Sequence, residues 1–210
     1  MSYRILETLT KRAPSWGWVI YRCSYKDEKL WTNFLSEWDN AIHESIFPIE
    51  EEKYLPLMDL KIVEDPSLEG ASKESICERH YAWVKSEGCA VDWTKRHSEE
   101  NNWFPSPRYQ FAVQVDRAAL LSASVYRGKP PGDSVGKSYA NLLFATKYMG
   151  NEGAGERSGD RPWVNNRWWM KSELYGLPVY AYHELTTTKR WYWVYQEPPR
   201  IAGPHGDDYP

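Results

Sequence analysis

The chain has 210 residues, enough to bury a real core, and carries a formal net charge of −3 with a pI near 6.0. That balance gives no global attraction to nucleic acid or to an anionic membrane. No apolar run is long enough to span a bilayer and the opening residues lack a continuous apolar stretch, so neither a transmembrane helix nor a secretory leader is expected.

Residues 16–25, WGWVIYRCSY, predict a strand from their aromatic and β-branched content. Residues 28–46 predict a helix, because Trp31, Phe34, Leu35, Trp38 and Ile42 fall on one face and Asp27 can cap it. Pro48 with Glu50, Glu51 and Glu52 predicts a solvated loop, and residues 59–65, DLKIVED, a short strand ended by Pro66. Ser72 caps a second predicted helix over 73–87, stopped by Gly88, with Ile76, His80, Trp83 and Val84 inward. Residues 109–116, YQFAVQVD, alternate as a strand does, with Tyr109, Phe111, Val113 and Val115 on one side. Asp116 then caps a helical turn at 117–123. Further strands are predicted at 139–146, 167–171 and 189–196, with a short helix or turn within 172–185 broken at Gly176 and Pro178. Flexible loops are expected near 89–107, 127–138 and 150–162, and an irregular tail over 197–210. Helices early and strands late predict one α+β domain over 1–210, a mostly antiparallel sheet with two main helices packed on one face.

Three cysteines, Cys23, Cys77 and Cys89, an odd number without short pairing, fit a reduced cytoplasmic protein. Twelve Trp and 15 Tyr against 5 Phe favour rings that carry a hydrogen-bond donor. Such rings either fill a core poor in aliphatics or line a ligand pocket.

GDSVGKS, at 132–138, imitates a phosphate-binding loop. The motif G-x-x-x-x-G-K-S/T ends here on Gly136, Lys137 and Ser138, but the required first glycine is Pro131. A Pro-rich loop precedes it and a strand rather than a helix is predicted to follow, so nucleotide binding is not expected. His43, His80, His97, His183 and His205 show no metal-ligand spacing, and no metal or cofactor is expected.

Two clusters remain. Along WVIYRC, Trp18, Ile20 and Arg22 share one side of the strand and Val19 and Tyr21 the other. Glu64, Asp65 and Asp116 stand at strand ends, where carboxylates often cap turns. A pocket joining Arg22 and Glu64 to aromatic rings such as Trp18 would suit a planar or cationic ligand, with Glu64 or Asp65 as the acid–base group. The second cluster sets Arg167, Trp168, Trp169 and Lys171 beside Trp191, Tyr192, Trp193 and Tyr195. Two adjacent aromatic strands could stack bases of single-stranded RNA, or simply pair their rings across the sheet.

The stretches GWVIYRCSY (17–25), 64–84 with its DPSLEGASK, YQFAVQVDRAAL (109–120), 167–185 and the closing WYWVYQEPP (191–199) resemble a family of filamentous ascomycete proteins. Its members have a YGWVIYR-type strand, a D-P-x-L-x-G-A-S-K stretch and an aromatic segment followed by PP. The resemblance covers most of the chain, implies a fungal origin and supplies no catalytic residues. The opening strand is similar, more weakly, to that of small fungal arginine-containing cyclodipeptide synthases, which would imply an aminoacyl-tRNA partner. Their D-D-x-x-E motif is absent here; Asp207 and Asp208 lie in the tail without the Glu.

The expectation is therefore a protein binding a small organic molecule, aromatic or cationic, in a fungal biosynthetic setting. The alternatives are the tRNA-dependent enzyme and an interaction module that docks partners through exposed Trp and Tyr; a sheet edge could support a homodimer.

Overall fold

All four residues of strand β1, Val19–Arg22, are buried, which requires cover on both faces of the sheet. The alternation divides them as expected. Trp18 and Ile20 enter one apolar cluster, and Val19, Tyr21 and Cys23 enter another. The computed structural model describes residues 16–46, 48–86, 106–125, 137–146, 167–186 and 188–203.

Helix α1, Glu28–Ser45, starts where Asp27 accepts the Leu30 N–H at 3.1 Å. Its apolar face buries Trp31, Phe34, Trp38, Ala41 and Ile42. The larger of these side chains each contribute on the order of 1.5–3 kcal/mol on burial, Ala41 less. The segment expected to be a solvated loop is instead helix α2, Pro48–Tyr54. Proline is tolerated at the first helical position, and glutamates favour the positive end of the helix. Tyr54 is buried, and its carbonyl accepts the Trp16 indole N–H at 2.9 Å. Strand β2, Lys61–Val63, pairs parallel to β1.

Helix α3, Lys73–Ser86, is capped by Ser72, whose hydroxyl accepts the Ser75 N–H at 3.2 Å. It buries Ile76, Cys77, His80 and Val84. A single turn, Pro107–Gln110, delays strand β3 to Phe111–Val115. Helix α4, Arg117–Val125, follows at once, with Asp116 accepting the Ala119 N–H at 2.8 Å. Strands β4, Tyr139–Phe144, and β5, Trp169–Glu173, come next. The strand after Lys137 and Ser138 is what the phosphate-loop comparison anticipated.

Residues 189–196 do not form the expected last strand. They belong to helix α5, Thr188–Val194. The physical reason is period: Trp191, Val194 and Tyr195 face the core, and Trp191 stacks 5.4 Å from both Phe111 and Phe144. The tail also holds a short strand, β6, Ile201–Ala202, paired parallel to β5.

Among the described residues the sheet order is β2-β1-β3-β4-β5-β6. Strand β1 is parallel to β2 and β3, whereas β3–β4 and β4–β5 are antiparallel. The fold is α+β, but the sheet is mixed rather than mostly antiparallel. The helices between β1, β2 and β3 act as crossovers, which parallel neighbours need. Nor do the two long helices share one face. Residues of α1 join the cluster of Trp18 and Ile20, and those of α3 join the cluster of Val19 and Tyr21. The chain steps from β1 out to β2, then back past β1 to β3. Parallel crossovers keep one hand, so reversing direction moves the connecting helix to the other face. The loops expected at 89–107, 127–138 and 150–162 lie outside the described residues, except 106–107 and 137–138.

Gly17 has φ +132°, and a Cβ there would stand 2.7 Å from the Asp59 carbonyl oxygen. Backbone cannot yield as a side chain can. Gly17→Ala is expected to cost roughly 2–4 kcal/mol. Urea unfolding checks it, and a midpoint equal to wild type would contradict the close approach.

Candidate functional site

The carboxyl ends of the parallel strands β1, β2 and β3 open at one edge of the sheet and carry the charged residues. From β1 the chain leaves toward β2; from β3 it leaves toward β4 on the other side. The divergence of neighbouring connections creates a crevice at strand carboxyl ends, the usual ligand position in open sheets with helices on both faces.

Arg22 ends β1. Its side chain is 5% exposed, with Nη2 donating to Glu28 at 2.5 Å and Nη1 to Glu64 at 3.0 Å. Nε donates to the Ser24 carbonyl at 3.1 Å. The guanidinium lies over Tyr25 at 4.4 Å and Trp31 at 5.0 Å. Burial acts to lower its pKa, but the hydrogen bonds and charges of Glu28 and Glu64 outweigh this and raise it. Tyr25 Oη accepts the Asp65 N–H at 2.7 Å. Asp65 Oδ1 accepts the Ser67 N–H at 3.0 Å and Oδ2 accepts from Arg79 at 2.6 Å. Those bonds hold the Asp65 carboxyl below its ordinary range.

The structure thus brings Arg22, Glu64 and Asp65 together, but as a tied group. A general acid near neutral pH needs a buried, raised carboxyl. Glu64 is 50% exposed at its side chain and Asp65 is held ionised. Trp18 is not part of this group; it is buried, with Nε1 donating to the carbonyls of Leu177 and Pro178 at 3.0 and 3.1 Å. Trp168 and Trp169 are half-buried at the start of β5, and Lys73 lies over Trp169 at 4.3 Å. Tyr192 and Trp193 are exposed on α5, with Arg190 over Trp193 at 5.4 Å. Because α5 is a helix, the pair of adjacent aromatic strands does not form. Arg167 lies over Tyr195 at 5.4 Å and Lys171 over Tyr139 at 4.3 Å.

Beside the Arg22 group is a cavity of about 320 Å³ at the carboxyl ends of β1 and β3. Cys23 and Gln114 are its buried floor; Glu69, Lys73, Asp116 and Arg117 contribute charge to its walls. Gly70, at φ +68°, turns the wall segment and donates its N–H to the Cys23 carbonyl at 3.0 Å. Gln114 Nε2 donates to the Ala71 carbonyl at 2.8 Å. Asn141 Nδ2 donates to Gln114 Oε1 at 3.2 Å and to Asp116 Oδ2 at 2.8 Å. This amide chain fixes the wall against the sheet. Sequence reasoning missed Lys73, Gln114, Arg117 and Asn141. The available signal was a pair of amides inside otherwise apolar strands, and the register sets Gln114 opposite Asn141.

Burial, with the Asp116 charge adding to it, pushes the Cys23 thiol up to about 12. A neutral thiol is a poor nucleophile. On the same face of the sheet as Cys23, His80 is buried with Nδ1 3.2 Å from Tyr21 Oη. Burial, then the Arg108 charge, pushes it down to about 3, so the folded protein holds it neutral. Among the described residues no three His, Cys, Asp or Glu side chains gather as a metal site, and no helix is long and apolar enough to cross a membrane. No protein-family model, no curated protein and no solved structure matches the chain.

Two outcomes follow from these protonation states. Between the ordinary His value of 6.5 and about 3, the unfolded chain binds a proton at residue 80 that the folded chain refuses. Stability is full above that window and falls as pH drops through it, by up to about 1.4 kcal/mol per pH unit from this one group. The difference in unfolding free energy between wild type and His80→Gln, measured from pH 7 to pH 4, should shrink accordingly; a constant difference would contradict a neutral buried His80. Alkylation by iodoacetamide at pH 8 should be roughly a hundredfold or more slower at Cys23 in the native than in the unfolded protein. Equal rates would show the thiol to be open.

Proposed function

We propose that this chain is a cytoplasmic protein that binds a small organic molecule in the cavity at the carboxyl ends of β1 and β3. The observation that carries this is the convergence of Lys73, Asp116, Arg117 and Glu69 on one concavity with a fixed amide floor. Its volume is within the range of small-molecule sites, at the small end. The crevice position at diverging strand ends adds to that. Cys23 and Cys77 are buried free thiols, which suits a reducing compartment. The resemblance to ascomycete proteins makes a fungal biosynthetic pathway the setting we propose. Within it the site is one of recognition, since the nearby Asp65 is held ionised and Cys23 protonated.

The Arg22 group supports the site from beside it, because its guanidinium already donates to Glu28, Glu64 and the Ser24 carbonyl. A second reading, docking of a protein partner, is favoured by Trp193, 75% exposed next to Tyr192 at 43%. A tRNA partner draws less support, since Arg167 and Lys171 each lie over a tyrosine ring.

The test is equilibrium dialysis of the intact protein against a fungal metabolite extract, read by mass spectrometry. Wild type should enrich one or a few small molecules. Ala118→Trp, which places a large ring on the exposed rim of the cavity, should not. Equal enrichment by both, or none by wild type, overturns the proposal.

A further inference from the structure

We infer that the occupant of this cavity is an anion, a small molecule bearing a carboxylate or phosphate group held by Lys73 and Arg117. The inference rests on the binding reading above and adds the chemical class.

Four charged side chains line the cavity, and their remaining capacity differs. Both carboxylates are occupied. Asp116 accepts from the Ala119 N–H and from Asn141, each at 2.8 Å. Glu69 accepts the Tyr25 N–H at 2.6 Å and has Lys26 at 4.0 Å. Neither cation has an acid partner among the described residues: Lys73 lies over the Trp169 ring, and no ion pair is formed by Lys73 or Arg117 there. The bonds to Asp116 and Glu69 hold the carboxylates in place without cancelling their charge, whereas the ammonium and the guanidinium, with no acid partner among the described residues, have their donors open to an anion.

The placement of these cations strengthens the case. Lys73 is the first residue of α3 and Arg117 the first of α4. A helix N-terminus is its positive end, where a cation is unfavourable and an anion favourable. Two helices therefore bring unfavourably placed cations to one cavity, in a chain whose net charge is −3. A bound oxyanion relieves both at once. The Ser72 and Asp116 caps each occupy one first-turn N–H, at Ser75 and Ala119, which leaves other donors of those turns to add to the same group. The expectation of a cationic ligand, drawn from Arg22 and Glu64, is thus reversed in sign at the neighbouring site.

The test is a titration of the intact ¹⁵N-labelled protein at constant ionic strength, followed by amide NMR. Sodium phosphate, sodium acetate and tetramethylammonium chloride are the probes. Phosphate or acetate should move the Gly70, Ser72 and Ala118 amides saturably, and the better of the two identifies the preferred group. In the Lys73→Gln/Arg117→Gln double variant that binding should weaken at least tenfold. The double variant should melt close to wild type, because neither side chain has an acid partner among the described residues. Anion shifts that do not saturate, or that persist in the double variant, overturn the inference. Saturable tetramethylammonium shifts at the same amides would leave a binding cavity of the opposite class: the anion fails and the site stands. If no probe acts but dialysis still captures a ligand that Ala118→Trp loses, the anion fails and the site again stands. If dialysis fails as well, both fall.

Discussion

A guanidinium taken out of water must be paired, and Arg22 is the buried charge around which this sheet edge is arranged. Its three bonded nitrogens reach the first turn of α1 through Glu28, the end of β2 through Glu64, and its own chain at Ser24. Two aromatic faces, Tyr25 and Trp31, cover it. The two carboxylates are themselves largely in water, so each ion pair alone is screened and modest. The constraint comes from the arginine side: moving α1 or β2 away would leave a buried cation uncompensated, at a cost of about 3–5 kcal/mol. That fixes where β1 ends and where α1 begins, and therefore where the neighbouring cavity opens.

On the other side of β1 the same edge is held by neutral groups. Gln114 and Asn141 sit in strands otherwise made of Val, Leu, Phe, Ala and one Tyr, and they would be costly if left alone. They bond to each other, to Asp116 and to the Ala71 carbonyl. A closed amide network inside a sheet is unforgiving of displacement, because each lost bond strands a buried polar atom. The floor of the cavity is therefore stiff while its rim is exposed. Stiff floors and solvated rims suit recognition, since the binding groups are in place before the ligand arrives.

Local chemistry was legible in the sequence and pairing was not. Asp27, Ser72 and Asp116 read as caps from the sequence, and each accepts a first-turn N–H. The inside of α1 followed from Trp31, Phe34, Trp38 and Ile42 alone. The strand at 189–196 failed because WYWVY is aromatic enough for a strand and periodic enough for a helix; only the position of Phe111 and Phe144 decides, and those are distant in sequence. The sheet was misjudged because connections, not strand composition, set parallel or antiparallel pairing. Arg22 and Glu64 were correctly placed together, since both end neighbouring strands. Lys73, Gln114 and Arg117 were passed over because their convergence depends on register between β1, β3 and β4.

The two charged groups at this edge differ less in composition than in what their charges already do. Arg22 with Glu28 and Glu64 is one cation between two acids, and each of its three side-chain nitrogens donates within the fold. Around the cavity the acids are satisfied by backbone and amide donors, and the cations are left over. Residue counts would call the cavity neutral, with two charges of each sign. What differs is the open hydrogen-bond capacity: the acids already accept from backbone and amide donors, whereas the cations keep their donors for a ligand. The same criterion favours the cavity over the more conspicuous Arg22 cluster: a guanidinium already bonded to two carboxylates offers a ligand fewer open donors, however well it is placed.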